Sequence, residues 1–237
     1  MPVEADVGPE KPRHMVQYAE ACLKALATQG LGGKISLGGA IGLSYYLEYR
    51  PTHDVDAWWS SSAGDADRRK IVALLQETLI RFGTVRVRSW GDVVSVDLEI
   101  GGKVVFSFQI ASRTAQLEEP TPAPWPPGML LDSLQDLLAA KMVALVERGA
   151  PRDFRDVYAV CEAGLSDPRS CWNLWEKRRR LSGDDTAASR ARLAIFMHLE
   201  RIELHRPLEA ISDEDQRARA RALRAWFRGR FLDGLTD

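Results

Sequence analysis

The stretch Leu37-Gly38-Gly39-Ala40-Ile41, followed by Thr52-His53-Asp54-Val55-Asp56-Ala57, contains the residue types best suited to chemistry. A strand ending on two glycines, then a helix, then a strand opening on Asp-x-Asp brings together two useful things. Glycine lets the backbone approach a ligand closely, and the open N–H groups of a helix start suit phosphate. Asp54 and Asp56, two residues apart on a strand, share one face while Val55 and Ala57 face the core. Paired carboxylates repel unless a cation lies between them, and Mg²⁺ or Mn²⁺ is the expected one.

A third acid is a candidate for the same site. In Val94-Ser95-Val96-Asp97-Leu98-Glu99-Ile100, the apolar residues mark the buried face and Asp97 lies on the other. Two readings stand: outward polar positions of a half-exposed strand, or three carboxylates (Asp54, Asp56, Asp97) for two metals. Farther along, Lys141 falls inside the apolar stripe Leu134, Leu137, Leu138, Met142 and Leu145 of a helix. A buried ammonium must snorkel, pair with an acid, or point into a cleft toward an anion. Next, Gly149 closes that helix, Pro151 opens another and Asp153 suits its first turn. Asp153 and Asp156, three apart, flank the apolar set Phe154, Val157, Tyr158 and Cys161.

The elements that must position these residues follow from periodicity and breakers. Helices are predicted over 14–28, 40–49 and 65–82, with strands over 34–37, 54–59, 84–89, 93–100 and 103–110. Five prolines within 117–128 exclude a helix or a central strand there, which makes 119–128 the expected junction. Beyond it the pattern is helical: 131–147, 151–163, 171–181, 186–204 and 213–231. The expected fold class is α+β: an N-terminal α/β domain (1–118) with a small mixed sheet, then an all-helical C-terminal domain (129–237).

Composition narrows the setting. The 237 residues carry 32 Lys+Arg against 33 Asp+Glu, and the basic excess lies after residue 168, which points either to a polyanion partner or to solvated helix faces. Within 213–231, Arg217, Arg221, Arg224 and Arg228 form one stripe with the same two readings. No apolar run is long enough to cross a bilayer, and residues 1–34 lack a secretory pattern. Three cysteines without Cys-x-x-Cys spacing fit a reducing compartment, so a cytoplasmic location is expected. The tryptophans Trp58, Trp59, Trp172 and Trp175 are expected in packing rather than in base stacking.

Gly38-Gly39 with Asp54-x-Asp56, then Lys141-x-x-Ala144-Leu145-x-x-Arg148 and Arg152-Asp153-x-x-Asp156, resembles the AbiEii-type nucleotidyltransferase toxins. These belong to the DNA polymerase β-like nucleotidyltransferase superfamily, whose MenT members modify tRNA. The resemblance implies transfer of a nucleotidyl group from an NTP, with Mg²⁺ or Mn²⁺, to an RNA acceptor such as a tRNA 3′ end. It also implies a toxin opposed by a separate antitoxin protein. On this reading Asp54, Asp56 and Asp97 hold metal and Lys141 neutralises the triphosphate. Gly38 and Gly39, with Lys141, Arg148, Asp153 and Asp156, form the nucleotide-binding set. The family has Ser or Thr after the second glycine; here Ala40 removes that hydroxyl donor. Two alternatives follow: a nucleotidyltransferase-fold binding protein with weakened catalysis, or an antibiotic-modifying nucleotidyltransferase.

Overall fold

The structure is a computed structural model and describes residues 8–232. Its strands form one seven-stranded mixed sheet in the order β3-β4-β5-β2-β1-β7-β6. In chain order these are β1 (Ile35–Leu37), β2 (Val55–Trp59), β3 (Thr84–Trp90), β4 (Val93–Ile100), β5 (Lys103–Ala111), β6 (Thr121–Pro122) and β7 (Leu130–Leu131). The β1–β7 and β2–β5 pairs are parallel and the others antiparallel.

Alternation assigns the two faces of this sheet. Ile35, Leu37, Val55, Ala57, Val96, Leu98, Phe106 and Phe108 are buried with Cys22, Leu23 and Leu26 of helix α1 (Gln17–Thr28). Ile71, Leu75 and Leu79 of helix α3 (Asp65–Ile80) complete that core. The opposite face carries Ser36, Asp56, Trp58, Ser95, Asp97, Ser107 and Gln109. Register aligns Asp56, Gln109 and Ser95 in one row, and Ser107 and Asp97 in the next.

Two elements depart from expectation. Helix α2 is Gly39–Ser44, shorter than the 40–49 pattern suggests. The Ser44 hydroxyl donates to the Ile41 carbonyl at 2.6 Å, a local bond that competes with helix continuation, and Pro51 favours extended backbone before it. The proline-rich run contains strand β6, which pairs with β7 and belongs to the sheet rather than to a linker. Pro122 is tolerated there because β6 is an edge strand, where a missing N–H costs little.

The chain divides into two compact units, one within Val7–Leu137 and one within Leu138–Asp237. The division falls inside helix α4 (Leu134–Glu147), later than the proline run 119–128. The second unit continues with α5 (Pro151–Glu162), α6 (Pro168–Ser182), α7 (Ala188–His205) and α8 (Glu214–Trp226), which ends in a wider-wound turn at Phe227–Phe231. Phe154, Trp172, Trp175, Trp226, Phe227 and Phe231 form its aromatic core, and the Trp172 indole N–H donates to the Phe231 carbonyl at 3.1 Å. Among the described residues no helix is long and apolar enough to cross a membrane.

Candidate active site

The glycine pair is required by the strand beside it. Gly38 N–H donates to the Asp56 carbonyl at 2.9 Å, which seats the end of β1 against β2. Gly39 opens α2 at φ +58°, in the left-handed region, and a side chain there would collide with the Asp56 carboxylate. A Cβ on Gly38 would collide with the Trp58 indole. Gly39 is therefore held to glycine by both backbone and space, Gly38 admits a side chain only if the Trp58 indole shifts, and the close approach brings the Asp56 carboxylate against the start of α2. The first N–H groups of a helix lack intrahelical acceptors, so donors and carboxylate converge at one place. Asp54 is exposed and lies just before β2; Asp56 is half-buried within it.

Asp97 sits on the same sheet face but two strands away, with β5 between. Its Oδ1 accepts from Ser95 (2.6 Å) and Ser107 (2.7 Å), and its Oδ2 accepts from Arg88 at 2.7 Å. Burial opposes ionisation, but the two hydroxyls and the Arg88 guanidinium outweigh it and hold the carboxyl below its usual range. Among the described residues no three His, Cys, Asp or Glu side chains gather as metal ligands. Asp97 thus meets hydroxyl and guanidinium partners from β4, β5 and β3, one strand removed from the carboxylates Asp54 and Asp56 at the start of β2.

The second motif block forms two ion pairs, one from α4 to α5 and one from the turn after α4 to the first turn of α5. Lys141 Nζ lies 2.6 Å from Asp156 Oδ2, with the lysine side chain 10% exposed and the aspartate fully buried. Of the three explanations for a lysine in an apolar stripe, pairing with an acid is therefore realised. Arg148 grips Asp153 with two parallel bonds of 2.8 Å, and Asp153 Oδ2 also accepts from Ala150 N–H at the start of α5. Gly149, at φ +51°, makes the tight turn between them, and His198 leaves no room for a side chain there.

No neighbouring serine supplies the hydroxyl that Ala40 lacks. Ser36 accepts from Arg113 and Ser44 is bonded to its own helix. The arginine stripe is largely consumed by internal acceptors. Arg217 donates to the Ile211 and Ser212 carbonyls, Arg224 to the Arg206 carbonyl at 2.6 Å, and Arg228 pairs with Glu200 and Glu203. Its predicted use along a phosphate backbone is accordingly reduced to Arg221, which is exposed.

Several polar residues escaped the sequence reading. Arg113 and Asp132 form a buried pair at 2.7 Å, and burial raises the Asp132 carboxyl despite the arginine. Asp136 accepts from the Leu117 and Glu118 N–H groups at 2.8–3.1 Å and ties the proline-rich run to the start of α4. Nothing in spacing announces these partners, since each is separated by more than fifteen residues; an isolated acid opening an apolar helix is the only hint.

A helix started by two glycines, set against an Asp-x-Asp strand in a mixed sheet, is the arrangement of a nucleotidyl transferase. The model of the nucleotidyl transferase AbiEii toxin family, of type IV toxin–antitoxin systems, matches residues 21–233. The chain belongs to that family, whose members are enzymes. No curated protein matches it in a sequence search.

Proposed function

We propose that this protein moves a nucleoside monophosphate from an NTP to a hydroxyl of an RNA acceptor, with a tRNA 3′ end as the family-suggested target. The observation that carries the reading is the closure of Gly39 on the Asp56 carboxylate, which sets anion-binding N–H groups beside cation-binding oxygens. Asp54 and Asp56 suit Mg²⁺, which is held by one or two carboxylates together with substrate phosphates and water rather than by an all-protein cage. That donor set needs no third acid. When bound, the cation supplies neutralisation of the triphosphate and activation of the attacking hydroxyl.

The chain's own groups do the rest. The Gly39 and Ala40 N–H groups receive phosphate oxygens, and Asp56 is held in position by the glycine that touches it. Lys141 is assigned by its motif to the triphosphate; Asp156 takes one of its three N–H donors and orients the others. Arg148 and Asp153 brace the turn that carries Asp156. Asp97 is proposed to act at a distance, by fixing β4 and β5 beside β2, rather than as a ligand.

The test is incubation with each radiolabelled NTP, Mg²⁺ and total RNA. Label should enter RNA with the wild-type protein and fall at least a hundredfold with Asp56→Asn, with an unchanged melting temperature. Transfer by the variant at the wild-type rate would overturn the assignment.

A further inference from the structure

Adjacent tryptophans at the end of β2 point to opposite faces of the sheet. Each holds an arginine. The Arg113 guanidinium lies 5.5 Å from the Trp58 ring centroid, and that of Arg68 lies 5.3 Å from Trp59. Both arginines line one cavity of about 400 Å³ at this end of the sheet, together with Ser36, Ser60, Ser61 and Ser112. A volume of this order suits a small ligand.

The donor inventory of the cavity is unfilled. Arg113 spends Nη2 on Asp132 and Ser36, which leaves Nε and Nη1 without a protein acceptor among the described residues. Its side chain is only 10% exposed, so those N–H groups have the cavity as their outlet. Arg68 spends Nε on the Ala63 carbonyl at 3.3 Å, and its two terminal nitrogens have no acceptor among the described residues. These spare donors are not sealed from solvent, so an anion entering the cavity can reach them, and a guanidinium fork matches the oxygens of a phosphate better than any neutral group. Charge is consistent. Asp132 offsets Arg113, the exposed Glu119 is the one acid on the lining, and Arg68 is held by its tryptophan and a carbonyl rather than by a carboxylate.

We propose that the cavity between Arg68 and Arg113 is a phosphate-ester site distinct from the Asp54–Asp56 end of the sheet. Ser36 pairs with Trp58, two residues along β2 from Asp56, and Ser60 lies four residues from Asp56, so the cavity runs from about 7 to about 13 Å away from Asp56 at the rise of a strand. A phosphate group held at the Arg68 and Ser60 end is the one farther from Gly38–Gly39. Its source is either a backbone phosphate of a nucleic-acid acceptor or a free mononucleotide. The site does not depend on the transfer reading and would persist in a chain that transfers nothing.

Calorimetric titration of the full chain at low salt tests this, with inorganic phosphate, adenosine 5′-monophosphate and a single-stranded RNA octamer as probes. Arg68→Gln removes one guanidinium, and Ser61→Glu places a carboxylate at the exposed mouth while leaving the Arg113–Asp132 pair intact. Both variants should weaken phosphate binding at least tenfold, while Asp56→Asn should bind it within twofold of wild type. Beyond the loss of inorganic phosphate, loss with the octamer but not the mononucleotide assigns the site to an acceptor strand; loss with the mononucleotide but not the octamer assigns it to a free nucleotide. Unchanged binding of all three probes in both variants, or loss of phosphate binding in Asp56→Asn, would overturn the proposal.

Discussion

Replacing Lys141 by Met tests what the α4–α5 ion pair contributes. The two charged atoms are 2.6 Å apart, with the side chains 10% and 0% exposed, so solvent screens them little. At an effective dielectric near 20 their gross attraction is on the order of 6 kcal/mol, most of which is offset by the cost of taking both groups out of water. Removing one partner leaves the Asp156 carboxylate buried without its lysine, which costs about 3–5 kcal/mol. For a chain of this length that corresponds to a melting temperature lower by roughly 6–20 °C. The double variant Lys141→Met, Asp156→Leu should recover most of the loss, because an apolar pair of similar volume is often no worse than a buried ion pair. Urea unfolding of wild type, both single variants and the double variant closes the cycle and isolates the coupling. A Lys141→Met protein that unfolds at the wild-type urea concentration would refute the reasoning, as would a double variant no more stable than the single ones. Transfer activity should be lost in both the single and the double variant, since the lysine is absent from each.

Gly39→Ala forces a left-handed backbone on a residue with a Cβ and drives that Cβ into the Asp56 carboxylate, so it should cost about 1–3 kcal/mol and abolish transfer; a stable, active variant in a melting and transfer assay would contradict the site geometry. Ala40→Ser restores a donor to the first turn of α2 and should tighten NTP binding by about 0.5–1.5 kcal/mol, read by calorimetry; no gain would mean that the backbone alone holds the phosphates. The Asp97 carboxyl is held below its usual range in the folded chain, so its contribution to stability is present above the unfolded value near 3.9 and disappears as pH falls through the folded value. Arg88→Gln should therefore bring acid unfolding on at a higher pH, monitored by circular dichroism between pH 5 and pH 2. The Asp132 shift runs the other way and favours the folded state at low pH, which makes the acid limb shallower without moving with Arg88.

The sequence by itself determined most of the elements and the local geometry of the first motif. Alternation in 93–100 and 103–110 placed β4 and β5 nearly to the residue, because a half-buried strand sorts apolar and polar side chains with period two. Gly38-Gly39 and Asp54-x-Asp56 were legible as a candidate site for the same local reason: a close turn, a helix start and two carboxylates on one face are all set within twenty residues. The helical half was likewise readable from its 3.6-residue period, and Asp213 and Asp167 cap α8 and α6 through bonds to N–H groups three residues on.

Tertiary structure decided which partners those side chains have. Lys141 had three outcomes on a helical wheel, and only the packing of α5 against α4 selected Asp156. Asp97 shares a face with Asp56, yet strand order inserted β5 between them, and Ser95, Ser107 and Arg88 became its partners. The proline run read as a linker because prolines break helices and central strands, whereas an edge pairing to β7 asks for so few N–H groups that the sheet accommodates it. Trp58 and Trp59 read as packing residues; that each steadies an arginine at one cavity depends on Arg68 and Arg113, nine and more than fifty residues from their tryptophans in the chain. Local periodicity fixes which way a side chain faces, while long-range pairing, invisible to spacing, fixes what it meets.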